Sequence, residues 1–196
     1  MALIRITAPA SDPVTLEETK DHIHVDHNHE DARIADFIRT AAQRLDGRDG
    51  SLGRCLITQT WKLTLDRFPP EITIPLPPCQ SVTSITYADP AGATQTLDPA
   101  EYQVIGLEGA DPARIRPAFG KAWPSFRAVP EGIAITFVAG FGDDPEDVPE
   151  PIRAAIKMHV GHLFEHRESV VLGTGFIAEV PDGAADLIRD QKVWSF

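Results

Sequence analysis

The histidines are the residues of this chain whose type and spacing could do chemistry. His22, His24, His27 and His29 fall within eight residues, and His159, His162 and His166 share one amphipathic stretch. On a helix, His162 and His166 stand at i and i+4, where two imidazoles can hold one zinc ion from a single face. A zinc hydrolase also needs a general base, and its motif places Glu directly after the first His. Leu163 stands there. The N-terminal group straddles an expected helix end and loop, a poor scaffold for fixed coordination. Both groups are expected to be surface histidines, with no metal and no cofactor.

Other reactive arrangements are equally incomplete. There is no G-x-S-x-G elbow, and neither Cys55 nor Cys79 has a histidine near it in sequence. The run from Gly47 to Gly53 lacks the Lys and the preceding strand of a phosphate-binding loop. Asp143, Asp144, Glu146 and Asp147 precede an expected helix, where carboxylates favour the positive end of the dipole. Trp61 and Trp123 are expected to pack in the interior. The residues therefore point away from an enzyme. A metal hydrolase would account for the histidines alone. A β-rich module binding carbohydrate or peptide would account for the tryptophans and the proline-bounded strands, but not for helices at both ends.

The totals narrow the class further. The chain has 196 residues, 42% hydrophobic and 24% charged, enough for one compact domain or two small lobes. A formal net charge of -11 argues against gripping phosphates, which takes clustered Lys and Arg. It is compatible with simple solubility, or with a wall along which nucleic acid slides without sticking. No apolar run approaches the roughly 20 residues of a membrane span, and no signal-peptide h-region is expected. Two cysteines make no disulfide framework, which fits a reducing cytoplasm.

The elements that would position any site follow from periodicity. Thr15–Glu18 reads T-x-x-E, a capping box that predicts a helix from Leu16 to about Val25. Ile34, Phe37, Ile38, Ala41 and Leu45 form one stripe of a second helix over Glu30–Asp46, ended by Gly47, Gly50 and Gly53. The period then changes to two: Ile57, Trp61, Leu63 and Leu65 alternate with Thr58, Thr60, Lys62 and Thr64. Short strands are expected at Ile72–Leu76, Val82–Tyr87, Thr94–Leu97, Tyr102–Ile105, Arg114–Arg116 and Ile133–Phe137, with a type I turn at Asp89–Gly92. Asp147, with Glu150 three residues on, is the expected N-cap of a closing helix to Val170, whose buried stripe is Ile152, Ile156, Val160 and Leu163. Pro181–Lys192 holds a short helix at most, and the chain finishes Val193-Trp194-Ser195-Phe196.

The expected class is α+β: a helical bundle from both chain ends (two N-terminal helices and one long helix near the C-terminus) with a small antiparallel β insertion. As one domain over 1–196, its parts would be a helical pair (1–54), the β insertion (55–142), the closing helix (147–170) and a C-terminal segment (171–196).

Three phrases, CLITQTWKLTLDRFP (Cys55–Pro69), IPLPPCQSVTSITYADPAG (Ile74–Gly92) and VPEPIRAAIKMHVGHLFEHRESV (Val148–Val170), resemble the head–tail connector, or adaptor, proteins of long-tailed bacteriophages and of phage-like gene transfer agents. TLEETKDHIHVD and EDARIADFIRTAAQRL are similar to that family's N-terminal helical pair, and PDGAADLIRDQKVW to its ending. The polar stretches DHIHVDHNHE and GRDGSLG depart from the pattern. The resemblance implies a non-catalytic virion protein of the particle neck, assembled in the bacterial cytoplasm. It implies a ring, most often a dodecamer, that sits under the portal protein, extends the channel for double-stranded DNA and receives a stopper or tail-completion protein. Carried onto matching positions, it makes Val193, Trp194 and Phe196 the portal-binding anchors. Some of Asp143, Asp144, Glu146 and Asp147 would then face the channel or a subunit seam.

Overall fold

The computed structural model describes residues 1–165 and 182–193. The chain forms two compact units, each built from two separate stretches: Met1–Ala10 with Thr58–Phe141, and Ser11–Ile57 with Gly142–Phe196.

The first unit is β-rich. Its strands are β1 (Ala2–Thr7), β2 (Gln59–Leu65), β3 (Ile72–Ile74), β4 (Cys79–Ala88), β5 (Thr94–Thr96), β6 (Tyr102–Ile105), β7 (Ala113–Pro117) and β8 (Ile133–Ala139). They make a five-stranded sheet, β1-β2-β8-β4-β5, and a three-stranded sheet, β3-β7-β6. Every pairing is antiparallel. In the large sheet Leu63 lies opposite Ile135 and Trp61 opposite Phe137, so the two-residue period puts them on one buried face. Ile72, Ile74 and Ile115 are the buried side of the small sheet. Each large aliphatic or aromatic side chain so buried contributes about 1.5–3 kcal/mol.

The stretch from β7 to β8 has no regular structure beyond turns, yet it is pinned. Trp123 stacks on Phe68 with centroids 4.7 Å apart and donates its indole N–H to the Pro69 carbonyl at 2.7 Å. Phe126 meets Phe68 edge-on, and the Arg127 amide donates to the Ala88 carbonyl. Trp61 is buried and Trp123 half-buried, so both tryptophans serve packing.

The second unit is helical: α1 (Leu16–His22), α2 (Asp31–Leu45), α3 (Glu150–Glu165) and α4 (Asp182–Ile188). The capping box at Thr15 and Glu18 forms as expected. The stripe of α2 buries Ile34, Ile38 and Ala41 against α3, which buries Ile152, Ala155, Ile156, His159 and Val160. Arg33 lies over the Phe37 ring, covering the half-buried margin of α2. Gly50 folds tightly onto the end of α2: a Cβ there would lie 2.3 Å from the Leu45 carbonyl oxygen, so only glycine fits.

Two expectations are corrected. The protein is a mixed α/β fold rich in antiparallel sheet, with eight strands in two sheets and four helices among the described residues, not a helical bundle with a small β insertion. Part of the difference is β1, which lies inside the stretch read as a helical pair. ALIRIT is an edge strand with four exposed residues, so it lacks the apolar–polar alternation that marks a half-buried strand. The other correction concerns Asp147. A 3₁₀ turn over Pro145–Asp147 intervenes, and α3 begins at Glu150. The expected extension of the closing helix to Val170 lies outside the described residues.

Candidate functional site

The acid turn before α3 is built by short-range contacts of the helical unit. Ser11 Oγ donates to the Asp143 carbonyl at 2.8 Å, and the Asp144 amide donates to Asp147 Oδ2 at 3.1 Å. Gly142 bridges to Ile57, and a Cβ on it would lie 2.0 Å from Asp147 Oδ2. The Asp147 carboxylate therefore folds back into the space the glycine leaves. Asp143, Asp144, Glu146 and Asp147 are all exposed, so the turn gathers four carboxylates at the surface.

Next to it runs an open groove of about 300 Å³, lined by Thr15, Glu17, Glu18, Asp21, Pro145, Glu146 and Arg153. Its floor is ionic. Glu18 accepts from Arg153 at 2.7 Å and from Lys157 at 2.8 Å, while its other oxygen accepts the Thr15 amide at 3.3 Å. Burial alone would raise the Glu18 pKa; the Lys157, Thr15 and Arg153 hydrogen bonds and the Lys157 charge bring it below the ordinary glutamate value. One side chain thus caps α1 and ties it to α3. Glu17, Asp21 and Glu146 line the same groove and are exposed.

The histidines are spread apart. His22, His24, His27 and His29 are exposed, with the His27 and His29 rings 5.6 Å apart. His159 is buried in α3, and burial first, then the charges of Arg44 and His162, lower its pKa. His166 lies outside the described residues. Among those described, no group of three or more His, Cys, Asp or Glu is placed to hold a metal ion. Both cysteines are buried, and burial pushes the Cys79 thiol up to about 11, far from a reactive thiolate.

Of the three residues expected to be terminal anchors, Val193 is half-buried and its amide donates to the Leu52 carbonyl at 2.9 Å. The Arg54 side chain donates to the Gln191 carbonyl. The strap just before the chain end is therefore fastened to the Leu52–Arg54 turn. Trp194 and Phe196 lie outside the described residues.

Two surface properties were not read from the sequence. Phe119 is 99% exposed at the tip of a turn closed by the Lys121 amide on the Ala118 carbonyl, with Gly120 at φ +75°. The signal that could have found it is the Phe-Gly pair between two proline-bounded segments, a turn rather than a core position. Charge is also unevenly divided. The β-rich unit carries seven Lys and Arg against eight Asp and Glu, a net of -1, while the helical unit carries eleven against twenty-one, a net of -10. The total hides this because the units interleave along the chain.

No protein-family model matches the chain, and no curated protein matches it. Solved structures do. A chain from the virion of a native gene transfer agent particle is 24% identical with a TM-score of 0.77, covering 100% of this chain and 97% of its own. Chains from the neck of an empty gene transfer agent particle, computed with C6 symmetry, and from the neck of a native one, computed with C12 symmetry, are each 22% identical. Each has a TM-score of 0.76 and the same coverage. The fold is shared. It is shared over both units, since the match leaves no part of this chain uncovered.

Proposed function

We propose that this chain is a structural, non-catalytic neck component of a phage-like particle: an adaptor that closes into a ring under the portal protein, extends the DNA channel and receives a stopper or tail-completion protein. The observation that carries this reading is the full-length likeness of fold to chains of gene transfer agent virions and necks. The C6 and C12 symmetry of those necks supports a ring, with twelve copies as the stoichiometry we favour. The phrases that resemble phage connectors lie in both units. Particles of this kind are assembled in the bacterial cytoplasm, and the chain would reside at the capsid vertex.

In this reading the helical unit faces the DNA. Its net charge of -10, repeated around a ring, makes a lumen that repels phosphate and lets a duplex slide. The exposed carboxylates of Asp143, Asp144, Glu146 and Asp147 are candidates for the lumen or a subunit seam. Val193, Trp194 and Phe196 reach the portal as the strap leaves the Leu52–Arg54 turn. A β-module that binds sugar or peptide would leave the whole helical unit without a purpose.

The test is capture of the full chain by the portal protein of the same particle. Truncation after Leu187 would also remove buried Ile188 and the Gln191–Val193 strap, so its effect would mix docking with folding. Trp194→Ala with Phe196→Ala is cleaner: capture should be lost while the melting temperature is unchanged. A wild-type chain that the portal does not capture would sink the proposed function, and a double variant that docks as well as wild type would remove the terminal anchors.

A further inference from the structure

We propose that copies of this chain meet through the β-rich unit, along edge strand β1 and the weakly charged sheet face beside it, and not through the helical unit. The inference rests on the ring reading above and names the surface that closes the ring.

Charge restricts the choice first. Two helical units at -10 each repel one another over a Debye length, about 10 Å at 0.1 M salt, whereas two β-rich units at -1 do not. A cationic partner would be drawn to the helical unit. The partner that fits a surface of low net charge with exposed aliphatic side chains is one that offers the same, and a second copy does.

Exposure then selects the surface. Met1, Ile4, Ile6, Ile105, Leu107 and Phe119, six of the seven large hydrophobics exposed among the described residues, belong to the β-rich unit; Leu187 alone belongs to the helical one. Ile4 and Ile6 are 43% and 53% exposed on β1, which pairs with β2 on one side only. Edge strands are ordinarily guarded by charged side chains or proline, because an unguarded row of backbone donors and acceptors recruits another chain. The one charge of β1, Arg5, is exposed and lies over the Trp61 ring at 6.0 Å, on the face opposite Ile4, so the Ile4 face of the strand carries no charge of its own. On the opposite side Ile4 aligns with Lys62 and, across β2, with Thr136; Thr60 and Val138 make the next row. Lys62 is the only charge in that patch. A contact that joins this surface to a different patch of the next copy is heterologous, the kind that closes a ring.

Sedimentation of the full chain over a range of salt and protein concentration tests this. Association should strengthen as salt rises, since salt screens the helical units and leaves apolar contact in place. Ile4→Glu with Ile6→Glu should abolish it. Ile4→Thr with Ile6→Thr, which keeps the β-branched shape, should weaken it by about tenfold. Both variants should fold, checked by thermal melts, because about half of each side chain already faces solvent. Association that weakens with salt, that persists in the glutamate variant, or that is absent at every salt concentration overturns the surface. The ring reading is judged separately, by portal capture.

Discussion

Replacing Glu18 by Gln isolates the charge that ties α1 to α3. The amide keeps the size and an acceptor oxygen, so it can still receive Arg153 and Lys157, but both cations lose their less exposed counter-charge and keep only Glu150, at 3.2 Å and 3.4 Å. Pairs in full solvent are worth about 0.2–1 kcal/mol, and stripping one partner from a fully buried pair costs about 3–5 kcal/mol. Glu18, Arg153 and Lys157 are 19%, 17% and 15% exposed, which places this cluster between the two regimes at about 2 kcal/mol. For a chain of this length that lowers Tm by roughly 4–8 °C. The pH dependence makes the reasoning specific. Glu18 titrates lower in the folded state than in the unfolded one, so its contribution is complete above the unfolded pKa and is lost as pH falls through the folded value. Urea unfolding of wild type and Glu18→Gln should therefore differ by about 2 kcal/mol near pH 7, and the gap should shrink as pH falls below the ordinary glutamate range and the wild-type carboxyl takes up its proton. A gap that stays constant across the acid limb would refute the electrostatic account and leave packing as the cause.

Gly142→Ala should destabilise the protein by about 1–3 kcal/mol, because the new methyl carbon would sit 2.0 Å from Asp147 Oδ2 and 2.6 Å from its Cβ; adding Asp147→Gly, which removes both atoms, should restore part of it in thermal melts, whereas Asp147→Ala should not. Phe137→Ala, at the centre of the large sheet and fully buried, should cost about 3–5 kcal/mol by denaturant titration. Phe119→Ser should change stability by less than about 0.5 kcal/mol in the same titration, since its ring touches solvent on all sides.

Local signals were legible wherever one face of an element is wet and the other dry. The Thr15–Glu18 capping box, the α2 stripe of Ile34, Ile38 and Ala41, the alternation of β2 and β8 and the Asp89–Gly92 turn all form where periodicity and turn chemistry place them. Those are decided within a few residues by backbone hydrogen bonding and side-chain period, so a linear chain carries them openly. Strand β1 was not legible, because an edge strand with four exposed residues has no dry face to show.

The balance of sheet and helix, and with it the fold class, is a matter of tertiary pairing. Ala2–Thr7 becomes a strand by joining Thr60–Thr64 across more than fifty residues, and nothing in its own composition fixes that partner. The acid turn could be found in sequence, but its attachment to Ser11 and to Gly142 could not. The division of charge is of the same kind: every ionised residue is written in the chain, yet which unit each belongs to depends on how four stretches fold into two bodies. Sequence alone determined the elements other than β1, the absence of a recognisable catalytic motif and the resemblance to neck proteins. Tertiary structure decided which surfaces remain apolar and where the negative charge collects, because burial and field depend on neighbours distant along the chain.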